Sequence, residues 1–235
     1  MISKSGVDDG RAIWAGMIGP VLFVSIFVIE GRLRIGYDSL AMYVSALSLG
    51  PRGWVQILNF ITFGLLFLAF ARGVAAGFPD GGTPPRVGSA LLTIIALGYL
   101  LSGPFVMDPA GTPRNLMSIH GTVHGIMGGI VFSLMPVSCF VFARRFRRAA
   151  KWRSLQWFTL AAGTTIAVAV IILTIATKIV PAQNAFNRWL GLIQRTAIVP
   201  YMVWLFIFAL TLCVKSRGVC ASGIPQSGHG DGPSG

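Results

Sequence analysis

Apolar residues in this chain fall in long blocks, not in the alternating pattern of strands. A bilayer span needs about 20 mostly apolar residues. Six blocks meet or approach that length: 13–30, 54–72, 87–107, 117–143, 155–180 and 189–214. A chain in lipid must satisfy its backbone internally, which favours helices. The pattern therefore predicts an all-α, polytopic membrane bundle of six transmembrane helices. Residues 1–12 then form an N-terminal segment, 13–214 the transmembrane domain, and 215–235, rich in Gly, Ser and Pro, a disordered tail. Between the first two spans, GRLRIGYDSLAMYVSALSLGPRG is too polar at its start to cross a membrane. Its middle, Leu40 to Leu49, is expected to form a short interfacial helix, after which Gly50-Pro51 turns the chain. Pro104, Pro136 and Pro200 are expected to kink the third, fourth and sixth spans.

Composition sharpens this picture. Hydrophobic residues make up 54% of the chain and charged residues 11%, against about 25% charged in an average soluble domain. The formal charge is +12, but the basic residues stand at the ends of apolar blocks. That placement signals topology and anionic lipid contact, not nucleic acid. With both termini inside, the inner side holds Lys4, Arg11, Arg72, Arg86, Arg144, Arg145, Arg147, Arg148, Lys151, Arg153, Lys215 and Arg217. The outer side holds Arg32, Arg34, Arg52, Arg114 and Arg188. An N-in, C-in orientation is expected. The first block ends in Ile29-Glu30-Gly31-Arg32 without a small-residue cleavage site, so it reads as a retained helix. Cys139, Cys213 and Cys220 stand at no motif spacing, which points away from a disulfide framework or a cysteine metal site.

Candidate chemistry gathers on the outer half. His120 to Gly129 reads HGTVHGIMGG, just after Asp108-Pro109. Residues four apart share a helix face, so His120 and His124 point the same way. Gly121, Gly125 and Gly129 form a small-residue stripe that would admit another helix. Glu30, Asp38, Ser45, Gln194 and Arg195 fall on the same outer half. Ionisable groups inside a bilayer are costly and are functional candidates.

One reading makes His120, His124 and a carboxylate, Asp108 or Glu30, the three protein ligands of a divalent metal such as zinc, whose bound water would be the nucleophile. Another has the imidazoles hydrogen-bonding to Asp108 or to backbone and only holding helices together. Arg195 invites a similar choice. It either pairs with Asp108 or Glu30, or clamps the phosphate or carboxylate of a ligand, with Gln194, Ser45 and Asp38 as further substrate-binding candidates. Lys178 is expected to snorkel to the interface. Gly88, Gly98, Gly163 and Gly191 read as packing positions, and His229, in the tail, belongs to no site.

The segments SALSLGPRGWVQ, SGPFVMDP, HGTVHGIMGG, RRFRR and GLIQR together resemble the bacterial six-helix membrane proteins grouped as domain of unknown function 998. The resemblance covers about residues 12–214 and implies the bundle fold and a multi-pass protein of the bacterial inner membrane. A fainter likeness joins the chain to the alkaline ceramidase and adiponectin-receptor superfamily of membrane metallohydrolases. It implies a metal on the His120/His124 pair, Asp108 as the acid and Ser45 as the serine. That superfamily's third histidine has no counterpart in the membrane region.

Two functional classes follow. One is a lipid-active enzyme, most simply a hydrolase with His120, His124, Asp108 and Glu30 at its centre. The other is a non-catalytic carrier, sensor or assembly protein that binds a lipid or small hydrophobic molecule. A membrane cyclase initiated by Glu30 and Asp108 is a weaker third. The expected partners are membrane lipids and not nucleic acid.

Overall fold

The computed structural model describes residues 4–76, 85–179 and 185–222, with side chains at 12–76, 85–177 and 187–215. Its six helices are α1 (Lys4–Leu33), α2 (Gly53–Ala76), α3 (Arg86–Leu101), α4 (Ile119–Arg148), α5 (Arg153–Thr174) and α6 (Leu190–Ser222). A wider-wound turn, Ile175–Ile179, prolongs α5. Each helix packs chiefly on its neighbours in the chain, and α1 closes against α6, so the six form a ring. Five of them are long and apolar enough to cross a membrane. The exception, α3, has 16 residues, about 24 Å at 1.5 Å per residue, against a hydrocarbon core of ≈ 30 Å.

Large side chains fill the middle of the ring. Phe23 stacks on Phe63 with ring centres 4.8 Å apart, and Phe63 meets Tyr99 edge to face at the same distance. Phe142, Trp204 and Phe208 continue the column toward the opposite end. Buried aromatic donors need partners. The Trp204 indole donates to Thr159 Oγ1 at 3.1 Å, and the Tyr201 and Ser138 hydroxyls lie 3.2 Å apart. The glycines expected at packing positions do pack: a side chain at Gly88 would run into Phe142, at Gly98 into Val131, at Gly163 into Cys139, and at Gly191 into the Ser39 and Met42 carbonyls.

Three expectations are corrected. Pro104 ends the third span instead of kinking it: α3 stops at Leu101 and residues 102–107 run on outside the helix. Proline lacks an N–H and disfavours helix in the residue before it. The short helix between α1 and α2 is a single 3₁₀ turn, Val44–Ser48. Val44, Ala46 and Leu47 are buried in the mouth of the bundle, so its apolar face meets protein and not head groups. The glycine stripe does not pack as expected either. Only Gly121 is in close contact, whereas a Cβ at Gly125 or Gly129 would meet nothing within 4 Å. Helix α6 runs on to Ser222, into the expected tail, whose remainder from residue 223 lies outside the described residues, as do the side chain of Lys178 and His229.

Candidate functional site

At the outer end, named for the orientation that the charges predict, two irregular segments cap the ring. Residues 34–52 join α1 to α2, and residues 102–118 join α3 to α4. Irregular backbone near lipid is tolerated only where its polar groups find partners. Nearly every candidate residue supplies such partners.

The second segment is held by the histidines. His120 Nδ1 lies 3.2 Å from the Pro104 carbonyl and His124 Nδ1 lies 2.7 Å from that of Phe105. A carbonyl only accepts, so each ring carries a proton on Nδ1 and, when neutral, its lone pair on Nε2. The chain leaves the helix after Leu101, so the carbonyls beyond it have no helical donors, and the two imidazoles, one turn apart on α4, reach across to two successive ones, those of Pro104 and Phe105. Asp108 does not face the rings as expected. Its carboxylate accepts from the Ser118 backbone N–H at 2.9 Å and the Ser118 hydroxyl at 2.7 Å. That hydroxyl in turn accepts from Gly121 N at 2.9 Å, capping α4. Gly121 is the one position of the stripe that must be glycine, because a Cβ there would collide with the Asp108 carboxylate.

The first segment is held by arginines, a glutamine and a tyrosine. Among the described residues Arg195 pairs with no acid. It donates to the carbonyls of Ser39 (2.6 Å), Met42 (3.1 Å) and Gly191 (2.9 Å) and to the Tyr37 hydroxyl (2.6 Å). Gln194 Oε1 accepts from Val44 N at 2.8 Å. Arg34 donates to the Leu49 carbonyl at 2.8 Å. The partner of Glu30 is Arg52, which grips it with two bonds of 3.0 and 2.7 Å, while Arg34 stands 3.6 Å away. Glu30 is 2% exposed, and an unpaired carboxylate there would be untenable. Asp38 is exposed, and its carboxylate accepts from Leu40 N at 2.8 Å in a local turn. Tyr37 is partly buried, which pushes its phenol above the usual range.

Three of the candidates meet. Ser45, His124 and Gln194 line one cavity with Tyr99, Ser102 and Phe60. Its volume is about 30 Å³, room for one or two waters. His120, Asp108, Glu30, Arg195 and Asp38 are not among the residues that line it. Donation from Nδ1 to a backbone carbonyl is also how metal-bound imidazoles are oriented, but the donor set is incomplete. Among the described residues no three His, Cys, Asp or Glu side chains come together. The expected ligand set of His120, His124 and Asp108 or Glu30 is therefore not assembled, because each carboxylate is spent on an arginine or a serine. Sequence reasoning missed Arg34, Tyr37, Arg52, Ser102 and Ser118. Two of them carried a signal: Arg34 follows Glu30 at i+4, and Ser118 immediately precedes the apolar run of α4.

A ring of six apolar helices, five of spanning length, with polar residues at one end tying down the connecting segments, defines a polytopic helical membrane protein. The chain belongs to the family described as Protein of unknown function (DUF998), whose model matches residues 17–211. No curated protein and no solved structure matches it.

Proposed function

We propose that this is a non-catalytic membrane protein that binds a lipid or small hydrophobic ligand within the bilayer, and that its His/Asp/Arg cluster is a structural clamp. One observation carries this reading. The polar side chains expected to do chemistry spend their hydrogen bonds on the backbone of residues 37–49 and 104–118 or on capping and ion-pair partners, and the polar cavity left over is about 30 Å³. A lipid head group does not fit there.

Space for an apolar ligand lies elsewhere. Between α1 and α6 are two hollows of about 290 and 440 Å³ that share Val21 and Phe206. Pro20 lines the first, and Pro200 follows its Val199 in α6. Their lining is apolar but for Ser25, which suits an acyl chain or a similar hydrophobe.

A hydrolase remains the second reading, supported by His124 sharing its cavity with the hydroxyls of Ser45 and Ser102. A water held between them would be placed for general-base activation.

Elemental analysis of protein purified without a His tag separates the two. The clamp reading expects no stoichiometric metal, and loss of thermal stability in His124→Ala without loss of any ion. About one divalent ion per chain, lost in both His120→Ala and His124→Ala, would overturn it in favour of the hydrolase. For the ligand, native mass spectrometry of the wild type against Val21→Trp, which fills the shared wall of both hollows, should show less retained lipid in the variant.

A further inference from the structure

The opposite end of the bundle carries a feature that the outer clamp does not explain. Helices α4 and α5 meet there through one tight turn, Ala150–Trp152. Arg144, Arg145, Arg147, Arg148, Lys151 and Arg153 crowd into the ten positions 144–153 around it. Arg144, Arg147, Arg148, Lys151 and Arg153 are exposed. The three acids with described side chains, Glu30, Asp38 and Asp108, all stand at the other end.

The turn is firmly built. Trp152 is 2% exposed and stacks on Phe146 at 5.5 Å. Lys215 crosses from α6 to donate to the Lys151 carbonyl at 2.6 Å, with its ammonium 5.2 Å from the Trp152 ring centre. The cations therefore project from a fixed frame. Beneath them the surface becomes apolar and aromatic. Phe140 lies one turn below Arg144, and Trp157, 70% exposed, lies one turn below Arg153.

Helix electrostatics accounts for part of this charge, since cations are favoured in the last turn of α4. It does not account for Arg153, which opens α5, where the dipole opposes a cation and the first turn holds no acid. A topology signal would need only charge. Five of the six cations are arginines, whose planar fork suits bidentate phosphate contact. Exposed tryptophan next to such a cluster is the pattern of a head-group-level anchor. We propose that the α4–α5 turn is a binding site for the phosphate head group of an anionic phospholipid, its chains lying against Phe140 and Trp157. None of the residues lining the α1/α6 hollows belongs to this turn, and the site does not depend on those hollows or on which leaflet this end faces.

The test uses the full chain in detergent micelles, with native mass spectrometry of phosphatidylglycerol against phosphatidylcholine retained per chain. Wild type should prefer phosphatidylglycerol. Each arginine neutralised in the series Arg144→Gln, Arg148→Gln, Arg153→Gln should reduce that preference about fivefold, the equivalent of the ≈ 1 kcal/mol that a basic residue contributes near an anionic surface. Arg114→Gln at the other end should not change it. Should the triple variant fail to fold, the single variants and the wild type at high salt read the same quantity. Brominated phosphatidylglycerol should also quench the fluorescence lost in Trp157→Phe more than brominated phosphatidylcholine does. Equal retention of the two lipids, or a preference unchanged in folded variants, would overturn the proposal. So would binding of inorganic phosphate or an acidic peptide through these arginines without any lipid preference.

Discussion

Arg195 gives the sharpest check on the clamp. If its role is to hold the backbone of residues 37–42, Arg195→Ala removes three bonds that reach outside its own helix: to Ser39 O at 2.6 Å, Met42 O at 3.1 Å and Tyr37 Oη at 2.6 Å. Hydrogen bonds from a charged donor contribute about 1.5–3 kcal/mol each when well buried. The Ser39 and Met42 carbonyls are exposed and can turn to water, so about 1 kcal/mol for each of the three bonds is the fairer figure, near 3 kcal/mol in all. For a chain of this size that is a drop of about 6–12 °C in melting temperature. Arg195→Lys keeps the charge but presents a point donor instead of a fork, and should recover less than half of the loss. Melting followed by tryptophan fluorescence in detergent measures the global effect. Thiol labelling of Ala41→Cys, over the background of the native cysteines, measures the local one and should speed up. A reversed pair, Arg195→Asp with Asp108→Arg, should recover nothing, because Asp108 is committed to Ser118. The reasoning fails if Arg195→Ala melts within about 2 °C of wild type with unchanged labelling, or if lysine substitutes fully.

Further outcomes follow from the same contacts. Gln194→Ala should cost about 1–3 kcal/mol, read as a melting shift, because it leaves the buried N–H of Val44 without its acceptor. Gly121→Ala should displace Asp108 and destabilise the start of α4, whereas Gly125→Leu should leave the monodisperse fraction in detergent unchanged, since nothing lies within 4 Å of the added Cβ. Ser118→Ala should cost about 1 kcal/mol as a lost cap. The Tyr37 phenol is raised from 10.0, chiefly by burial. The unfolded chain therefore ionises first, and stability should fall as pH rises past about 10. Tyr37→Phe should flatten that part of the pH profile.

Much of the bundle was legible in the sequence for a simple reason. Lipid leaves a backbone few options, so block length and apolarity determine helix number and approximate limits, and the glycines at 88, 98, 163 and 191 announced close packing. The candidate site was legible only as a set of residues. His120, His124, Gln194 and Arg195 stood out because polar groups at membrane depth need a reason to be there, but their partners could not be read from spacing. A charge on one helix reaches whatever the fold brings near it. For Glu30 that was Arg52 across the α1–α2 segment, and for Arg195 it was a row of carbonyls some 150 residues away in the chain.

The sequence by itself determined that this chain is a helical membrane protein with its described acids and histidines at one end and its densest basic turn at the other. The tertiary structure decided what those polar groups do. It broke the third span at Pro104, created two irregular caps whose backbone groups needed partners, and placed the histidines, Gln194 and Arg195 where they meet that need. It also turned Gly125 and Gly129 outward while seating Gly121 on Asp108, because helix rotation within a bundle is set by all its packed neighbours at once and not by the pattern on one helix.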